Sequence, residues 1–92
     1  MNKPGADIRT RTINIPGVIK ELQNNLEVRL KKTLEDWEDD DNLKEYLQQD
    51  LETYNGSLEL MYHVGFIDKD RWDAEWENGF NLYNNITRNK TA

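Results

Sequence analysis

Three times along this chain, large apolar residues recur at intervals of three and four, and each run stops at a polar or glycine-bearing break. The first run is Ile19, Leu22, Leu26, Leu30, Leu34 and Trp37. The second is Leu43, Leu47, Leu51, Tyr54, Leu58 and Met61, and the third is Trp72, Trp76, Phe80, Tyr83 and Ile86. Such spacing places each set on one side of an α-helix, so each helix must bury that side against another. The predicted fold is therefore all-α, a small antiparallel three-helix bundle with helices at about residues 16–38, 43–64 and 69–86. Val28 falls off the first stripe and marks a second contact surface.

The breaks carry their own signals. Pro16 suits the first turn of a helix, where its missing N–H costs nothing. Asp39-Asp40-Asp41-Asn42 favours a turn, and Asn42 with Glu45 has capping-box spacing for the second helix. Gly65 supplies a left-handed residue after the second helix, and Asp68 is the N-cap of the third, with Ile67 and Trp72 placed as a hydrophobic staple. Gly56, inside the second stripe, marks a bend or a close helix crossing. Thr87 to Ala92 reads as a frayed polar tail.

Residues 1–15 stand apart as an extended arm before the helical domain of 16–92. Thr10 to Ile15 alternates and is β-branched, and Lys3, Arg9 and Arg11 outweigh Asp7 to give the arm +2. The chain's net charge is −6, so the helical domain carries −8. With 36% hydrophobic and 33% charged residues the composition lies near the border of disorder. Three Trp, four Tyr and two Phe bring it back, because each ring can bury ~150 to 250 Å².

Several functions are physically awkward for this chain. It has no Cys, hence no disulfide, thiolate metal site or cysteine nucleophile. No apolar run approaches the ~18 to 20 residues of a membrane span. The stretch Met1 to Gly5 lacks the apolar core of a signal peptide, which points to the cytoplasm. The lone His63 follows Glu59 by four residues, and two ligands do not make a metal site. The aspartate runs lack the Gly and Glu of a calcium loop, and the single Ser57 has no base at a useful spacing. No cofactor is expected.

Glu35-x-x-Glu38 and Asp70-x-x-Asp73 are similar to the paired acidic motifs of magnesium-dependent all-α nucleotide pyrophosphohydrolases, with Asp for Glu at the head of the second motif. That is the weakest of three functional readings.

The strongest rests on charge. Between residues 35 and 52 nine acids face one base, Lys44, a local charge of −8. A second group, Asp68, Asp70, Asp73, Glu75 and Glu77 against Lys69 and Arg71, adds −3. The expected function is non-enzymatic: docking on a basic site of a larger protein that handles nucleic acid. An inhibitor of host defence nucleases, of the kind phages and mobile elements encode, fits this size and charge. Asp36, Glu38, Asp39, Asp40, Asp41, Glu45 and Asp50 are the expected contacts. Direct nucleic-acid or membrane binding is not expected of so acidic a body. The remaining reading is an oligomeric adaptor, a homodimer or larger, working through the aromatic third helix at Trp72, Trp76 and Phe80 and through the arm.

Overall fold

The computed structural model describes residues 14–91, with side chains from 14 to 88. Three helices follow one another: α1 (Ile15–Trp37), α2 (Leu43–His63) and α3 (Lys69–Thr91). Each packs on both others, as the three stripes require. The arm lies outside the described residues except at its last two positions, which belong to the start of the first helix and not to an extended segment: Asn14 caps α1 and Ile15 begins it. Asn14 Oδ1 accepts from the Gly17 backbone N–H at 3.0 Å, and Pro16 occupies the first turn.

The core is built from the predicted stripes. Ile19, Leu26, Leu30 and Leu34 of α1 meet Leu47, Leu51, Tyr54, Leu58 and Met61 of α2. Ile67 closes one end, and Trp72, Trp76, Leu82, Tyr83 and Ile86 of α3 pack against this cluster half-buried. Trp37 departs from its expected core role. It is the last residue of α1 and is 47% exposed, and Phe80 of the third stripe is likewise exposed, at 46%, on the outer side of α3 beside Trp76.

The α2–α3 connection follows the sequence closely. Gly65 has φ +86°. The Phe66 N–H bonds Met61 O at 2.8 Å and the Gly65 N–H bonds Tyr62 O at 3.1 Å, the paired bonds of a Schellman motif. Asp68 caps α3 by accepting from the Arg71 N–H at 2.8 Å.

Three expectations need correction. Asn42 precedes α2 but makes no side-chain cap bond, so there is no capping box with Glu45. Asp40 Oδ1 instead accepts from the Asn42 N–H at 2.7 Å, and this local bond shapes the turn. Gly56 meets nothing within 4 Å, so no helix crosses there. The close approach is at Gly79, where an added Cβ would strike the Tyr54 ring. Finally, α3 continues to Thr91, and Thr87 is buried with its hydroxyl donated to Tyr83 O at 2.8 Å.

One polar cluster joins all three helices. Tyr54 of α2 donates its hydroxyl to Glu75 O at 2.7 Å. Gln23 of α1 donates to the Tyr54 hydroxyl at 3.3 Å and to Glu75 Oε1 at 3.1 Å. Arg71 Nε reaches Glu75 Oε2 at 2.7 Å and Asn78 reaches Oε1 at 3.0 Å. Glu75, only 9% exposed, is therefore a buried and fully engaged carboxylate. It is not part of a solvated acidic patch, as its charge alone had suggested.

Candidate functional site: the acidic tip

Short turns make α1 and α3 parallel to each other and antiparallel to α2. The C-terminal end of α1 and the start of α2 thus form one end of the bundle. Asp36, Glu38, Asp39, Asp40, Asp41 and Glu45 all lie there, within the end of α1, the turn and the first turn of α2. All but Asp40 are exposed. Glu35, Asp36, Glu38, Asp39 and Asp40 surround an open depression with Trp37 at its wall. The Trp37 ring leans on Tyr46 of α2, centroids 5.2 Å apart and planes tilted by 57°. Trp37 is the site residue that stripe reading missed. It continues the apolar period one turn beyond the point where neighbouring helices cover it.

The carboxylates of the tip have different reasons to be there. Asp40 shapes the turn. Glu45 sits in the first turn of α2, where the helix dipole favours an anion. Asp36 pairs with Lys32 at 3.3 Å, an exposed i,i+4 contact of small energy. Glu35, Asp36 and Glu38, however, occupy the C-terminal end of α1, which has no basic residue in its last turn. A helix C-terminus disfavours anions by ~0.3 to 1 kcal/mol each at the surface. Their charges oppose the α1 dipole, which the exposed Asp36–Lys32 pair offsets only weakly.

The remaining candidates lie elsewhere. Asp50 is two turns into α2, half-buried, and accepts from the Thr33 hydroxyl at 2.6 Å, so it ties α1 to α2. Trp72 stands at the opposite end of the bundle, donating Nε1–H to Asn55 Oδ1 at 3.0 Å, with its ring 5.0 Å from Tyr62. Trp76 stacks on Phe80 at 6.2 Å near the middle of α3. Both indoles are half-buried within the bundle.

The two acidic motifs of the hydrolase reading also part company. Glu35 and Glu38 end α1, whereas Asp70 and Asp73 begin α3 at the other end. Gln23 and Glu75 are in contact, so helical rise alone places Glu35 about 18 Å beyond that level. Carboxylates so separated share no ion. Asp73 is paired with Lys69 at 2.7 Å, and no cluster of three or more His, Asp or Glu suited to a metal occurs among the described residues. His63 meets Glu59 at 3.5 Å on the exposed last turn of α2. No helix is long and apolar enough to cross a membrane among the described residues.

No family model, curated protein or solved structure matches this chain.

Proposed function

We propose that the acidic tip is a docking surface for a basic site on a larger protein that handles nucleic acid. The partner site is one whose Lys and Arg side chains otherwise hold phosphates. The reading rests on one observation: carboxylates crowd the C-terminal end of α1, where the helix dipole disfavours them, around an exposed indole. Duplex DNA carries one charge per ~1.7 Å of axis, and a compact group of carboxylates reproduces a short length of that field. Trp37 adds an aromatic face of the kind on which a guanidinium stacks. Displacement of nucleic acid then follows from competition for the same cations. An inhibitor of defence nucleases, as encoded by phages or mobile elements, would work in this way without making or breaking a bond.

The test is capture of partners with the intact protein and with a variant carrying Asp36→Asn, Glu38→Gln, Asp39→Asn and Asp41→Asn. A nucleic-acid-handling partner should bind the former and not the latter, and added DNA should displace it. Between about 0.1 and 1 M salt the Debye length falls from about 10 to 3 Å, so retention should collapse across that range. Retention that is indifferent to both salt and the four substitutions would refute the reading.

A further inference from the structure

Seven large apolar residues are exposed among the described residues, and they are not evenly spread. By helical position Val18 and Val28 of α1 and Leu60 of α2 lie away from α3, and Val64, the C-cap of α2, follows Leu60. The seam between these helices is fixed by Thr33 with Asp50, and Asn25, Arg29, Thr53 and Ser57 border the groove beside it. Val18 lies two turns before Asn25 on the same edge, and Val28 and Lys32 follow at three and seven residues. On α2, Leu60 and Val64 continue the edge of Ser57 at intervals of three and four. Val28 and Leu60 are each 63% exposed, far beyond what a bundle needs to leave open.

The outer edge of α1 reads Val18, Glu21, Asn25, Val28, Lys32 and Glu35, an unbroken alternation of three and four. That is the spacing of a helix–helix seam, separate from the core stripe. Its charge changes along its length, with Glu21 towards the N-terminus and Lys32 past the middle, where Arg29 borders the edge and Lys32 makes its exposed contact with Asp36 at 3.3 Å. Glu21 and Arg29 are exposed, and no ion pair between charged side chains involves either among the described residues. A second α1 laid parallel would set Lys32 against Lys32 and Glu35 against Glu35. Laid antiparallel about a twofold axis between Asn25 and Val28, it sets each Glu21 beside Lys32 of the second copy, and each acidic C-terminal end beside a helix N-terminus. The helix dipoles oppose as well.

We propose that this edge of α1, flanked by Leu60 and Val64, binds a second copy of the chain in antiparallel, twofold-symmetric fashion. Charge complementarity along α1 selects that occupant and that direction. The interface meets the acidic tip at Glu35 and lies apart from the aromatic residues of α3.

The chain has no cysteine, so single reporters are clean. Sedimentation across a concentration series should show a species of twice 10.9 kDa. Val28→Asp, at a position too exposed to disturb the fold, should weaken the pairing on the order of tenfold or more. Glu21→Lys should weaken it too, and Glu21→Lys with Lys32→Glu should restore it. Under oxidation Asn25→Cys should cross-link to itself. Glu35→Cys should not, because antiparallel helices hold those positions about 25 Å apart. A monomer at every concentration, a dimer indifferent to Val28→Asp, or equal cross-linking by both cysteines overturns the proposal. None of these outcomes bears on the acidic tip, whose test reads a different partner.

Discussion

The same substitution, Gly→Ala, should have opposite signs at two positions on this molecule. At Gly56 the added methyl meets open space on an exposed helical surface. Only the backbone preference changes there, and it favours Ala over Gly by about 0.5 to 1 kcal/mol. At Gly79 the same preference is outweighed. The new Cβ would overlap the Tyr54 ring, which is 3% exposed and cannot swing aside freely. Its hydroxyl is held by Glu75 O at 2.7 Å and by Gln23 at 3.3 Å. Overpacking a tight interior contact costs about 1 to 3 kcal/mol, and displacing the ring far enough to lose its hydrogen bond adds about 1. Less the helical gain, Gly79→Ala should destabilise by roughly 1 to 3 kcal/mol.

Thermal unfolding followed by helical circular dichroism measures both. A domain of this size shifts its midpoint by about 4 to 8 °C per kcal/mol. Gly56→Ala should raise Tm by about 3 to 6 °C, and Gly79→Ala should lower it by on the order of 10 °C. Tyr54→Phe removes the tether and should make the Gly79→Ala penalty smaller in that background. If Gly79→Ala stabilises, or if its cost is unchanged when the hydroxyl is gone, the close α2–α3 approach is wrong.

Glu75→Ala should cost about 2 kcal/mol or more in urea unfolding, because Gln23 and Arg71 lose a shared acceptor inside the bundle. Asp36→Asn with Glu38→Gln should leave stability unchanged or raise it by up to about 1 kcal/mol, since a helix C-terminus is relieved of anions, and a loss above that size would contradict the dipole reasoning. The phenol of Tyr54 has its pKa raised above 10.0, first by burial and further by the Glu75 charge, against the opposing hydrogen bond from Gln23. Unfolded tyrosine ionises near that value while the folded group stays neutral, so the unfolded state holds fewer protons. The stability this contributes is intact below pH ~10 and falls as pH rises from there through the folded pKa. Tyr54→Phe should flatten that alkaline slope in chemical unfolding. Burial raises Tyr83 in the same direction, so part of the slope should survive the substitution.

Much of the fold was legible because single residues carried single jobs. Gly65 announced a left-handed stop and Asp68 a cap, and both act locally, without help from the tertiary structure. The misreadings share a different origin. Asn42 and Glu45 have the spacing of a capping box, but Asp40, two residues earlier, reaches the same turn first with its own side chain. Gly79 gave no signal, because a glycine in a stripe looks like a gap until one knows which ring fills it. Glu75 counted as surface charge for the same reason: its partners Gln23 and Tyr54 are 52 and 21 residues away. The tip was readable as a charge run, yet Trp37 was not readable as its wall, since periodicity shows which side a residue takes and not where the covering helix ends.

The two proposals have a joint physical consequence. Antiparallel pairing through α1 puts the acidic tips at opposite ends of the dimer, so like charges are as far apart as the particle allows. Self-repulsion of a chain with net charge −6 then opposes pairing least, and salt, which screens this repulsion as well as the Glu21–Lys32 attraction, should change self-association far less than it weakens docking on a basic partner. Two tips on one rigid body also bind a symmetric partner as a unit if its basic sites match their spacing. Engaging the second site becomes intramolecular, and retention can rise by about 10² to 10⁴ without a new contact. Val28→Asp should therefore lower apparent affinity for such a partner while leaving the single-site affinity alone, which titration against the partner's isolated basic domain would measure. Equal losses in both assays would mean that Val28 itself contacts the partner and that bivalency plays no part.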